Sequence, residues 1–187
     1  MKKLFLLIVF CSFLSAETDW SDANDCKLPN HSSFVNEMIS KMSLEQKIGQ
    51  IIMPEINSIT IEQVRKFHLG TILNGGGGFP NKNKNSNIDD WKNLSKEYYD
   101  ASTVVDGVKI PILWGTDAVH GHNNVIGATI FPHNIGLGAA KNQKLMKQIG
   151  AAVAKEVAST GIIWTFAPTI AVPQNDLWGR TYEGYSE

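Results

Sequence analysis

Two stretches, Ile110-Pro111-Ile112-Leu113-Trp114 and Ile162-Ile163-Trp164-Thr165-Phe166-Ala167, carry apolar side chains on consecutive residues rather than on alternate ones. A strand with one wet face alternates apolar and polar residues, so runs of this kind fit strands buried on both faces, as in a parallel sheet covered by helices. Pro111 is tolerable near a strand's start, and Pro168 ends the second run. A shorter run, Thr71-Ile72-Leu73, stops at Asn74. Helical signals fill the intervals in the order expected of repeated β/α units.

A first helical piece covers about residues 31–42. A second starts at Ser43, where Ser43 and Gln46 have the spacing of a capping box, and Ile48, Ile51 and Ile52 carry its apolar character to Pro54. Thr60 and Gln63 repeat that spacing before Val64-Arg65-Lys66-Phe67, with Gly70 as the glycine ending that helix. Asn87 is placed to cap a helix from Ile88 to Ser102. From Asn142 to Thr160, Leu145, Ile149, Ala152, Val153 and Val157 form one apolar stripe, and Gly161 is its stop. Glu156 falls in that stripe. It is either a largely buried carboxylate with a positive or hydrogen-bonding partner, or one that reaches solvent at the stripe's rim.

Three strands therefore finish at Asn74, Asp117 and Pro168. In a (β/α)8 barrel of TIM type the loops after the strands build the active site at one face, and in such a fold these three loops would gather there. A chain of 187 residues is short of the roughly 250 such a barrel uses.

The loops carry the chemistry. In Trp114-Gly115-Thr116-Asp117-Ala118-Val119-His120-Gly121-His122, Asp117 stands just past a strand end, and its carboxylate offers about four lone-pair sites, enough to accept two sugar hydroxyls. It could equally cap the turn that follows. His120 and His122 have a metal-like spacing, with His133 as a third nitrogen, but no carboxylate nearby completes a hard site, and bracing of the loop is the competing reading. The run Gly75 to Gly78 is either a flexible link or a place where a Cβ would strike a ligand, with Gly76 and Gly77 at its centre. No Lys-Ser or Lys-Thr pair follows, which disfavours a phosphate loop. Near the chain's end Trp178, Arg180, Tyr182 and Glu183 cluster beyond the last strand. Arg180 can fork hydrogen bonds to a sugar, or pair with Glu183 to hold the loop, or both.

A net charge of -1 supplies no field to attract nucleic acid or an anionic membrane, and no cofactor or metal is called for. Met1-Lys2-Lys3, the apolar run Leu4 to Leu14 and the small residues Ser15 and Ala16 read as a secretory signal peptide, too short to span a bilayer comfortably. A secreted or periplasmic protein without stable membrane insertion follows. Residues 17–30 are polar, contain Pro29 and read as a linker into a domain covering 31–187. After cleavage Cys26 is left without a partner in this stretch, since Cys11 lies in the signal.

The segments WGTDAVHGHNNVIGATIFPHNIGLGAA, IIWTFAPTIAV and WGRTYEGYSE, together with MSLEQKIGQ and GTILNGGGGFP, resemble glycoside hydrolase family 3, closest to its β-glucosidase and exo-β-glucanase branch. The resemblance runs in order from about Ser43 to Glu187. It implies an α/β barrel domain followed by an α/β sandwich domain, and an enzyme that removes glucose from the non-reducing end of β-glucosides or β-glucan oligosaccharides with retention. It also implies that Asp117 and Arg180 bind hydroxyls of the terminal sugar, with Gly76, Gly77, Trp178 and Glu183 as further candidates. The family's Lys-His pair, nucleophilic aspartate and acid/base glutamate belong downstream of the WGR segment, and this sequence has no Lys-His dipeptide. The expectation is an incomplete barrel, inactive alone, with no catalytic carboxylate before Glu187. The rivals are the family's amino-sugar branch, a metal-dependent barrel hydrolase using His120 and His122, and a non-catalytic sugar-binding protein.

Overall fold

The computed structural model describes residues 31–105, 107–175 and 177–185. The expected signal peptide at 1–16 and linker at 17–30, with Cys11 and Cys26, lie outside the described residues. Strands β1 (Thr71–Asn74), β2 (Leu113–Thr116) and β3 (Trp164–Thr165) form a parallel sheet in the order β1-β2-β3. Glu55 adds an isolated parallel bridge to Leu73 on the far side of β1. The helices are α1 (Ser32–Lys41), α2 (Leu44–Gln50), α3 (Ile61–Phe67), α4 (Ile88–Thr103), α5 (Asn134–Ala139) and α6 (Gln143–Ser159). Helix α4 connects β1 to β2, and α5 and α6 connect β2 to β3, which is the βαβ repeat that the apolar runs predict.

The helix starts follow the predicted caps. Ser43 and Gln46 close a capping box on α2, Thr60 and Gln63 close one on α3, and Asn87 accepts from the backbone of Asp89 and Asp90 at the head of α4. The end of α3 differs from expectation: His68, at φ 50°, takes the left-handed position, and Gly70 does not. Gly70 is small for a packing reason, because a Cβ there would stand 2.8 Å from the Gln50 carbonyl oxygen while its N–H donates to Gly49. Gly161 does end α6, at φ +82°, and its carbonyl accepts from Ser95 Oγ of α4. That bond ties the two crossover helices together.

Strand β2 starts three residues later than the apolar run. Pro111 has no N–H and the Ile112 N–H is taken by the Ser102 hydroxyl, so pairing with β1 begins where Leu113 donates to Gly70. The core lies on one face of the sheet. Ile72, Asn74, Trp114 and Thr116 are buried there, with Trp91 and Tyr98 of α4 packed on the Trp114 ring at 5.8 and 5.4 Å. Trp114 Nε1 donates to Asn74 Oδ1 at 2.8 Å, so the row of side chains next to the strand ends is fixed by a buried polar bond.

Burial on both faces is not what the described residues show. Leu113 is 45% exposed and Trp164 39%, because one layer of helices covers only the face opposite them. On this open face the Phe166 ring crosses Gly115, where a Cβ would come within 2.6 Å of it, and stacks edge-on against Trp164 at 5.1 Å. The open face is the side that a closed barrel turns inward.

Candidate functional site

All three loops that leave the strands' C-terminal ends meet at one cavity of about 180 Å³, lined by Gly76, Asp117, His120, Arg180, Tyr182 and Glu183 together with Val119, Asn123 and His133. This is smaller than the roughly 300–1,000 Å³ of drug-sized sites, so it suits one small polar ring. The long pass from β2 to α6 and the turn after β3 come together here because Asn134 at the head of α5 donates to the Glu183 carbonyl at 2.8 Å. Gly138 on the same helix lies so close to the Tyr185 carbonyl that any Cβ would collide with it.

Asp117 continues the ladder beyond β2, its N–H donating to Asn74. Its side chain is half-buried, and among the described residues no donor hydrogen-bonds to its carboxylate. It therefore does not cap the turn that follows. Burial holds its pKa above the ordinary carboxylate range; the Glu183 charge adds to the rise and Arg180 opposes it.

Arg180 and Glu183 form a two-pronged pair, with Nε donating to Oε1 at 2.8 Å and Nη2 to Oε2 at 2.6 Å. The side chains differ in setting, since Arg180 is 65% exposed and Glu183 only 10%. The hydrogen bond from Arg180 keeps the Glu183 carboxyl below its usual range against the cost of burial, with Tyr182 and His133 helping. Of the five N–H donors of a guanidinium the pair occupies two, so the predicted pairing leaves Arg180 with donors for a ligand.

The histidines divide. His120 donates from Nδ1 to the Phe131 carbonyl at 2.9 Å, a tautomer fixed by the acceptor's lack of protons, and its ring stacks on His133 at 4.2 Å. His133 in turn meets Tyr182 edge-on at 4.9 Å, which gives the cavity a wall of three rings. His122 is fully buried and borders a different cavity, with Glu156 and Val125. The two histidines thus do not converge on one point, and no group of three metal-capable side chains occurs among the described residues. Loop bracing, the competing reading, is what both do.

In the glycine run, crowding by protein atoms and open space fall on different residues. Crowding falls on Gly78, where a Cβ would stand 2.5 Å from Glu55 Oε1, whereas Gly76 and Gly77 have open space around them. Gly76 lines the cavity; Gly77 turns away and its carbonyl accepts from Asn57. Trp178 lies outside the cavity lining, its carbonyl accepting from Thr181 in the turn that carries Arg180. Asn123 and Val119 reach the cavity without having been singled out in the sequence, because polarity and position in a loop do not reveal which way a side chain faces.

Residues 43–187 match the model of the glycosyl hydrolase family 3 N-terminal domain. A lysosomal β-glucosidase of Dictyostelium discoideum is 33% identical over 171 residues, covering 83% of this chain and 21% of that protein. A periplasmic β-glucosidase of Salmonella typhimurium is 27% identical over 160 residues, covering 83% of the chain and 18% of that protein. In the crystal structure of an exo-1,3/1,4-β-glucanase from a Pseudoalteromonas species, 84% of this chain superposes on 20% of that one with a TM-score of 0.78 and 52% identity. The chain thus spans about a fifth of the length of these relatives.

Proposed function

Because the chain belongs to glycosyl hydrolase family 3 and its sheet and helices are part of that family's TIM-type barrel, we propose that it supplies the terminal-sugar pocket of an enzyme that cleaves glucose from the non-reducing end of β-glucosides or β-glucan oligosaccharides with retention. The observation that carries this reading is the Asp117 carboxylate, half-buried, without a hydrogen-bond donor among the described residues and lining a cavity shared with Arg180.

A neutral sugar presents many hydroxyls and little charge. Asp117 accepts from two of them, Arg180 donates with the N–H groups that Glu183 does not use, and the burial of Glu183 holds the guanidinium in one orientation. Charge-assisted bonds in a small site reject a substrate that lacks the matching hydroxyl, since the protein groups would then be left unpaired. Closing one end of the site with them favours removal of a terminal unit. Retention requires two catalytic carboxylates about 5 Å apart. The reading assigns neither to this chain, because the resemblance gives Asp117 a sugar-binding role and puts the nucleophile and the acid/base downstream of the WGR segment. The 52% identity to an exo-glucanase supports glucose over an amino sugar.

The reading includes export, resting on Lys2-Lys3, the apolar run Leu4 to Leu14 and Ser15-Ala16, with the two relatives named as lysosomal and periplasmic in support. No helix among the described residues is long and apolar enough to cross a membrane. The test of the site is Asp117→Ala in the full-length gene product. It should lose about 2–4 kcal/mol of transition-state stabilisation, read as kcat/KM on an aryl β-glucoside. Unchanged kcat/KM would remove Asp117 from the sugar site.

A further inference from the structure

The loop from Asp117 to His133 has no helix or strand of its own, yet it carries the carboxylate and two rings of the cavity. What holds it is on the other side. Its first arm is anchored by His122, whose Nε2 meets Thr160 Oγ1 at 3.2 Å while the ring lies against Trp91. The Thr160 hydroxyl proton is already committed to the Val157 carbonyl at 2.6 Å, so Thr160 can only accept here. His122 is therefore the Nε2–H tautomer, and burial keeps it neutral by lowering its pKa.

The second arm is anchored by Glu156, one helical turn before Thr160. Its carboxylate accepts the Thr129 N–H at 3.1 Å and the Thr129 hydroxyl at 2.8 Å. The two arms also touch: Gly121, at φ +123°, leaves no room for a Cβ beside the Thr129 carbonyl, and Phe131 and His120 exchange N–H and ring bonds of 2.8 and 2.9 Å.

We propose that Glu156 and Thr160 are positioning residues for the sugar pocket: from the last turn of α6 and its C-cap they fix both arms of the loop and so set the place of the His120 and His133 wall in the cavity that Arg180 also lines. Neither lines the pocket, and both act through the loop. This rests on the terminal-sugar reading for its ligand and on the geometry alone for its mechanics.

The experiment uses the full-length gene product with glucose as the probe, Kd measured by calorimetry well below the melting temperature. The variants are Glu156→Ala, Thr160→Val, Thr160→Ser and Val153→Ala. Val153 lies on α6 in the core and, as an aliphatic side chain, takes no part in the hydrogen bonds that hold the loop, so its variant destabilises the helix as a control. Glu156→Ala and Thr160→Val should each weaken glucose binding by about tenfold or more, as displacement of a binding wall does. Thr160→Ser, which keeps the acceptor, should stay within about threefold, and Val153→Ala should leave Kd unchanged despite a lower melting temperature. The His120 ring proton shift, read by NMR with labelled histidine, should move in Glu156→Ala and Thr160→Val but not in Val153→Ala.

An unchanged Kd and an unmoved His120 shift in both Glu156→Ala and Thr160→Val would overturn the proposal, as would a Val153→Ala effect of equal size. Failure of the sugar reading looks different. In that case glucose binds Asp117→Ala as it binds the unaltered protein, while the His120 shift still reports whether the anchors hold the wall.

Discussion

Asp117 and Glu183 are carboxylates a few side chains apart, yet their environments push them in opposite directions. Burial and the Glu183 charge raise Asp117, while the Arg180 fork lowers Glu183. For Glu183 the folded pKa lies below the unfolded one, so its stabilising contribution is present above the ordinary glutamate value of about 4.3 and is lost as pH falls through the folded value. Arg180→Ala leaves that buried carboxylate uncompensated, and its cost in melting temperature should be larger at pH 7 than at pH 4, read by calorimetry at both. An equal loss at both pH values would mean that the pair contributes nothing through charge. Asp117 has the opposite sign: it takes up a proton at a higher pH than an exposed aspartate, so hydroxyl acceptance by its carboxylate should decline on acidification before the rest of the fold loses stability. Glucose Kd measured from pH 7 downward should begin to rise above pH ~4, the region of the ordinary aspartate value. The sequence drew attention to Asp117 through its place after an apolar run; that no donor among the described residues reaches its carboxylate was not legible, since it depends on side chains from two other loops.

At the level of elements, capping chemistry was legible because it is local. Ser43, Thr60 and Asn87 act within three residues of themselves, and Asn87→Ala should lower the unfolding free energy by about 1 kcal/mol in a denaturant titration. A negligible change would mean that the cap is replaced by solvent. The strand boundaries were less legible, since the start of β2 depends on the Ser102 hydroxyl taking the Ile112 N–H, ten residues away in sequence. Glu156 illustrates the middle case. Its place in an apolar stripe called for a hydrogen-bonding partner, which proves to be Thr129, yet the carboxylate is only half-buried, so the rim reading was also partly right. Among the glycines one expectation is reversed, since Gly70 serves packing rather than helix termination, while Gly78 is the member of the glycine run crowded by protein atoms. Gly138→Ala should displace Tyr185 and with it the Arg180 turn, weakening glucose binding while leaving the α4 and sheet core intact by circular dichroism. Unaltered binding would show that the α5 contact does not seat that turn.

For the whole molecule, the β/α order was readable because doubly apolar runs and helix caps alternate along the sequence. Which face of the sheet is covered was not, because that is decided by which helices pack, and among the described residues they pack on the Trp114 side alone. The face carrying Leu113 and Trp164 is consequently open, and exposed apolar area of this kind draws a hydrophobic partner or aggregates. Residues 17–187 expressed alone should bind a hydrophobic dye strongly and release no glucose from laminaribiose; measurable hydrolysis would mean that the catalytic carboxylates are present in this chain after all. The proposed export, with cleavage after Ala16, predicts that amino-terminal sequencing of the mature protein begins at Glu17; a sequence beginning at Met1 would contradict it. The central claim, that one small cavity at the strand ends holds a terminal glucose through Asp117 and Arg180, is tested most directly by a crystal structure of the full-length protein soaked with glucose. The account predicts two sugar hydroxyls about 2.5–3.0 Å from the Asp117 carboxylate and at least one donor bond from Arg180. Glucose bound elsewhere, or bound here with Asp117 turned away, would contradict it.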